Sequence, residues 1–197
     1  MEAVKTPKPS LVQSTVAHHI DVSQRFFDQC EPELIRLGQT CAQALENHNK
    51  VLLAGNGGSA ADAQHIAAEF VGRFVNDRRA LPSIALTTDT SILTAVGNDY
   101  GYDQVFSRQI EGLGQKGDIF IGITTSGNSD NILKALEAAK AKGLTTVTLM
   151  GKTGGSAKGL ADFEFIVPDS TTAQIQECHI MFLHLLCALV EQEMKIS

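Results

Sequence analysis

The chain has 197 residues, 43% of them hydrophobic and 19% charged, with no Trp; this is the size of one ordinary domain and excludes a disordered or collagen-like polymer. A formal net charge of -6 argues against a nucleic-acid surface, which needs clustered Lys and Arg to displace counterions, yet leaves room for a small anion held by backbone N–H groups. No apolar run approaches the roughly 20 residues of a membrane span, and the opening MEAVKTPKPS lacks the apolar stretch and cleavage site of a signal peptide, so a cytoplasmic protein away from membranes is expected.

From about residue 10 to 48 apolar residues return at helical spacing: Val22, Phe26, Phe27 and Cys30, then Leu34, Leu37, Cys41 and Leu45. The Glu31-Pro32 step predicts a break into two helices. After Lys50 short apolar runs alternate with amphipathic stretches, the signature of βαβ units around a parallel sheet. Strands are predicted over 51–54, 84–86, 119–123, 145–150 and 163–167. Helices are predicted over 59–74, 91–97, 103–113, 128–141, briefly near Ala157, and over 172–194. The expected organisation is one domain over 1–197, with a helical pair in 1–49 that packs in an oligomer and an α/β core in 50–197. Cys30, Cys41, Cys178 and Cys187 are too irregularly spaced for a disulfide framework or metal knuckle and read as small buried hydrophobes.

Ligands of an open parallel sheet bind beyond the carboxyl ends of its strands. The loop after the first strand, Gly55-Asn56-Gly57-Gly58-Ser59-Ala60, runs straight into a helix; its glycines permit close backbone approach and its N–H groups lie at the positive end of the helix dipole. The loop after the third strand, Thr124-Thr125-Ser126-Gly127-Asn128-Ser129, also enters a helix and carries four hydroxyls. Either loop alone reads as a simple helix N-cap. Four hydroxyls in six residues exceed what one cap uses, and two such loops make an anion pocket. Gly55-x-Gly57-x-x-Ala60 also fits a relaxed dinucleotide fingerprint, but Asp89 follows too late for its acidic residue, and Gly151-Lys152-Thr153 lacks the earlier glycine of a phosphate-binding Walker loop.

His65 and Glu69 stand four residues apart in the helix that starts at the glycine loop, which puts an imidazole and a base on one face. Spacing alone equally describes a surface His beside a solvated Glu. The last helix supplies Gln176, Glu177, His179 and His184 among Ile180, Phe182, Leu183 and Leu186, where a His is usually a satisfied interior or interface residue.

The segments AGNGGSAADAQHIAAEF, ALTTD, VGNDYGYDQVFSRQ, TTSGNS and QIQECHIMFLH, in this order and spacing, closely resemble the phosphoheptose isomerases, small bacterial members of the sugar isomerase (SIS) fold family. The likeness covers nearly the whole chain from Lys50 onward. It implies an α/β three-layer sandwich with a five-stranded parallel sheet of flavodoxin-like order, a homotetramer with active sites at subunit contacts, and conversion of sedoheptulose 7-phosphate to D-glycero-D-manno-heptose 7-phosphate, a heptose of lipopolysaccharide. By the same resemblance Ser59 and the hydroxyls of Thr124, Thr125, Ser126 and Ser129 hold the phosphate, and Asn56, Gly57, Gly58, Glu69, Arg73, Asp99 and Gln176 complete the substrate site. Glu69 is implied as the base and His184 as the acid, with one Zn²⁺ per subunit on His65, Glu69, Gln176 and His184. The acidic residue that often stands three positions before the glutamine is Ala173 here, and the third-strand loop opens with Thr124 where Ser is common. A relative with the same fold, which binds the replication initiator DnaA, has lost the catalytic glutamate. It defines the alternative reading, an interaction protein without a reaction, against which Glu69, His65 and His184 all stand.

Overall fold

Residues Leu11–Glu46 form one 36-residue helix, α1, opened by a capping box in which the Ser10 hydroxyl accepts from the Gln13 N–H and the Gln13 amide oxygen accepts from the Ser10 N–H. The computed structural model describes residues 8–195; the opening MEAVKTP, on which most of the signal-peptide argument rests, lies outside them. The predicted helical pair is corrected to this single helix, which runs through Pro32. Proline deletes the bond to the Asp28 carbonyl and costs about 3 kcal/mol in a helix interior. Val22, Phe26, Cys30, Leu34, Leu37, Cys41 and Leu45 nevertheless form one buried stripe on both sides of it, and burying a stripe of that length outweighs the break.

In chain order there follow β1 (Val51–Gly55), α2 (Gly58–Val71), β2 (Ser83–Ala85), α3 (Thr90–Asp99), a 3₁₀ turn at Tyr102–Gln104, α4 (Ser107–Leu113), β3 (Ile119–Thr124), α5 (Asp130–Ala141), β4 (Thr145–Gly151), a second 3₁₀ turn at Gly155–Ala157, β5 (Phe163–Val167) and α6 (Thr172–Glu193). The strand predicted over 84–86 pairs one residue earlier. The helix predicted over 103–113 is divided because the Ser107 hydroxyl bonds both the carbonyl and the side chain of Gln104, a local alternative to continuing the helix. All strand pairs are parallel and the order is β2-β1-β3-β4-β5, the flavodoxin-like order expected.

Alternation along the strands sends side chains to two cores. Val51, Leu53, Ile121 and Leu149 pack with α1, α2 and α6, whereas Leu52, Ala54 and Phe120 pack with α4 and α5 on the other face. The result is the three-layer sandwich. By length and hydropathy α6 could cross a membrane, contrary to the expectation from its apolar runs. Half of its apolar window is buried instead, with Ile175, Cys178, Phe182, Leu183 and Leu186 in the core. The four cysteines are free and buried, and desolvation pushes the Cys30 and Cys41 thiols up to about 12, which makes them inert.

Candidate active site

β1 and β3 are neighbours, with Gly55 opposite Ile123, while β2 lies beyond β1 and β4 beyond β3. The strand order reverses between them, which opens a crevice at their carboxyl ends. Both loops singled out in the sequence start here. A Cβ on Gly55 would lie 2.5 Å from the Ser59 carbonyl oxygen, and Gly57 holds φ 58, ψ -122, so only glycine lets this turn close. Ser59 is buried behind it.

Neither helix that begins at the crevice has a side-chain cap. Gly57 has no side chain to offer α2, and Ser129, in the N-cap place of α5, shares its hydroxyl with Thr124 Oγ1 at 3.0 Å. The simple side-chain N-cap reading is thereby set aside: the Ser59, Ala60 and Ile132 N–H groups turn back onto the Asn56, Gly57 and Ser129 carbonyls, while those of Gly58 in α2 and of Asp130 and Asn131 in α5 stay available where two positive dipole ends meet. The loops are joined by a reciprocal amide pair, in which Asn56 Nδ2 donates to Asn131 Oδ1 and Asn131 Nδ2 to Asn56 Oδ1, both at 2.9 Å. The loop after β4 braces the hydroxyl loop from behind. Ala157 donates its N–H to the Gly127 carbonyl, and Ser156 donates its own to Asn128 Oδ1 at 2.9 Å. Ser126 Oγ accepts from the Asn128 N–H, and the Thr125 hydroxyl has no protein partner among the described residues.

Further along α2 a second group assembles. His65 Nε2 lies 3.1 Å from Glu69 Oε1 and 3.3 Å from His184 Nε2 of α6, and ligand atoms of all three residues lie within 4.8 Å of one another. The ring of Phe74 stacks on His184 at 5.7 Å between centroids. Two imidazole nitrogens aimed at each other need a shared proton or cation between them, and two nitrogens with a carboxylate oxygen suit a divalent ion such as Zn²⁺.

A profile of the SIS domain family matches residues 16–151. The phosphoheptose isomerase of a Nitratiruptor species is 51% identical over 181 residues, covering 92% of this chain and 97% of that protein. The chain belongs to the phosphoheptose isomerase family. Among solved structures, the phosphoheptose isomerase of Francisella tularensis superposes with a TM-score of 0.86 at 36% identity, over 94% of this chain and 100% of that one. The enzyme of Neisseria gonorrhoeae gives a TM-score of 0.79 at 42% identity, over 92% and 99%.

Not every residue assigned by likeness to the family joins these two groups. The Gln176 amide lies over Gly58, whose missing Cβ makes the room, since a Cβ there would stand 2.6 Å from Gln176 Nε2. Gly58 and His65 are seven residues apart, roughly 10 Å along α2. The structure therefore sets Gln176 at the start of α2, apart from the group formed by His65, Glu69 and His184. Arg73 is exposed and donates to the Val75 carbonyl; Asp99 is exposed at the end of α3 and accepts from the Asn98 amide. Neither bonds another candidate. Two contributors escaped the sequence. Asn131 is a polar residue on the buried stripe of α5, a signal that was there to read, whereas Phe74, the last residue of the helix predicted over 59–74, sits in the loop beyond α2, which stops at Val71.

Proposed function

We propose that the protein interconverts sedoheptulose 7-phosphate and D-glycero-D-manno-heptose 7-phosphate through a cis-enediol. The observation that carries this reading is the pairing of an uncapped double helix N-terminus, bridged by Asn56 and Asn131, with the Glu69–His65–His184 group further along the same α2. Gly58 and Glu69 are separated by about 16 Å of helical rise, and helical side chains lean back toward the N-terminus. An extended seven-carbon phosphate, roughly 10 Å long by ordinary bond lengths, suits such a span.

In this reading Ser59 and the hydroxyls of Thr124, Thr125, Ser126 and Ser129, with the N–H groups of Gly58, Asp130 and Asn131, hold the phosphate and fix the chain. Glu69 Oε1 faces His65, so Oε2 is the oxygen that carries the proton between C1 and C2. His184 exchanges a proton with the enediol oxygens, and its face is kept from water by Phe74. One zinc ion per subunit fits His65, Glu69 and His184; when bound, such an ion supplies polarisation of the substrate carbonyl, which acidifies the C–H bond that a carboxylate alone deprotonates poorly.

The same reading places the protein in the cytoplasm as a homotetramer with sites completed at subunit contacts. What supports the assembly is a groove of about 630 Å³ between α1 and α6, lined by Ile20, Phe27, Ile35, Met181, Leu185 and Leu189. Ile20 is 62% and Met181 44% exposed in the isolated chain, an apolar face that water does not favour. The DnaA-binding alternative is not favoured, because the glutamate that such a protein lacks is present and partnered. The test is product analysis by NMR with five-, six- and seven-carbon ketose phosphates. Aldose from sedoheptulose 7-phosphate is expected; aldose from a shorter sugar alone moves the substrate, and none from any sugar overturns the reaction.

A further inference from the structure

Beyond α2 the chain passes through 72–82 to β2, and this segment is tied down by one buried ion pair. Arg78 Nε donates to Glu191 Oε1 at 2.9 Å, with the side chains 3% and 4% exposed. The remaining guanidinium donors cap α2: Nη2 bonds the Glu69 carbonyl and Nη1 the Phe70 carbonyl, both at 2.8 Å. These carbonyls close the last turn of a helix whose end has no basic residue of its own, a task for which a forked cation is suited. Glu191 in turn accepts the N–H groups of Phe74, Val75 and Asn76 at 3.3 Å each. Burial pushes the Glu191 carboxyl up, but the Asn76 N–H, the Arg78 guanidinium and the Val75 and Phe74 N–H groups outweigh it and hold the carboxyl below its usual range. It is a charged, fully engaged group.

The placement of these partners is specific. Glu69, whose carbonyl Arg78 grips, carries the carboxylate of the site; Phe74, whose N–H Glu191 grips, stacks on His184; and Glu191 lies seven residues after His184, two turns along the same face of α6. One ion pair thus connects both helices that bear the site. We propose that Arg78 and Glu191 are positioning residues for the isomerase site, holding the last turn of α2 and the Phe74 ring against α6 so that Glu69 and His184 keep their mutual geometry. This rests on the reading of Glu69 and His184 as base and acid.

The test uses the full-length protein, Glu191→Gln, and the double variant Arg78→Met/Glu191→Leu, which removes both charges and leaves neither orphaned. Two readouts are taken: the kcat and KM for sedoheptulose 7-phosphate, and the ring resonances of the six histidines by proton–carbon NMR. His184 is identified by its loss in His184→Asn and carries the upfield ring-current shift of Phe74. We expect kcat to fall about 10- to 100-fold, as for other supporting shells, with KM within about threefold. His184 should move while His179, buried against the Met150 carbonyl, does not; the double variant, which removes the acceptor of the Phe74 and Val75 N–H groups and the donor to the Glu69 and Phe70 carbonyls, should show the same loss of kcat and the same movement of His184. A folded variant of either kind with kcat within about twofold of wild type and an unmoved His184 overturns the proposal and leaves the pair as structural glue. If wild type itself makes no aldose, the isomerase reading has failed, and the His184 shift alone then decides whether the pair positions that ring.

Discussion

Glu69 differs from an ordinary surface carboxylate only by its neighbours, His65 at 3.1 Å and His184 beyond it. Glu69→Gln keeps the shape and removes the proton acceptor, so turnover should fall by at least about 10²-fold while the melting temperature stays within a few degrees. Retained wild-type turnover in the product assay would show the base to be misassigned. Ser126→Ala acts on a contact made in ground and transition states alike, and is expected to raise KM about tenfold with little change in kcat. His179 supplies a pH dependence of a different origin. It is fully buried, its Nε2–H donates to the Met150 carbonyl at 2.9 Å and its Nδ1 has no partner. Desolvation, opposed in part by that bond, pushes its pKa down to about 4. The unfolded chain, with an ordinary His pKa near 6.5, therefore binds a proton that the folded chain refuses. The stability is complete above that value and is lost as pH falls toward 4, by about 3 kcal/mol across the window. Urea unfolding at several pH values should show this slope in wild type and a flatter one in His179→Gln.

At the scale of the element, two glycines with positive φ give opposite expectations about neighbours. Gly57, φ 58, has open space where a Cβ would stand, whereas at Gly127, φ 69, a Cβ would be 1.9 Å from the Gly154 carbonyl oxygen. Gly57→Ala meets no neighbour and should cost backbone strain alone, about 1–3 kcal/mol, because φ 58, ψ -122 lies outside the left-handed helical region that L residues tolerate. Gly127→Ala adds a backbone collision that unseats the brace behind the hydroxyl loop, so it should cost more in chemical denaturation and also raise KM. In α1, Pro32→Ala restores the hydrogen bond to the Asp28 carbonyl within a helix already held by its stripe, and should stabilise the chain by about 1–3 kcal/mol.

For the whole molecule the decisive surface is the α1–α6 groove. Leu185, 37% exposed, lines it opposite Ile20 and Ile35, and Leu185→Asp would place a charge against any apolar partner there at little cost to the isolated fold. Light scattering should show a large assembly for wild type and a smaller species for the variant, with activity lost alongside. A wild-type monomer of full activity would remove the shared-site reading.

Sequence alone determined the strand positions, the parallel sheet and the two ligand loops, because alternating apolar runs and glycine punctuation are local consequences of burial and backbone sterics. The likeness of its ordered motifs to a known family reached the sheet order as well. It did not determine whether Pro32 ends a helix, since that depends on the α6 surface against which both halves of α1 pack. Nor could spacing distinguish a solvated His65–Glu69 pair from a site: the choice came from His184, 119 residues away in the chain and 3.3 Å away in space. The hydroxyls of the third-strand loop were legible as residues but not as partners, for only the tertiary structure gives Ser129 to Thr124 instead of to its own helix. The Arg78–Glu191 tie was the least legible part, because a charged pair is buried only where the fold brings both members and their backbone partners together.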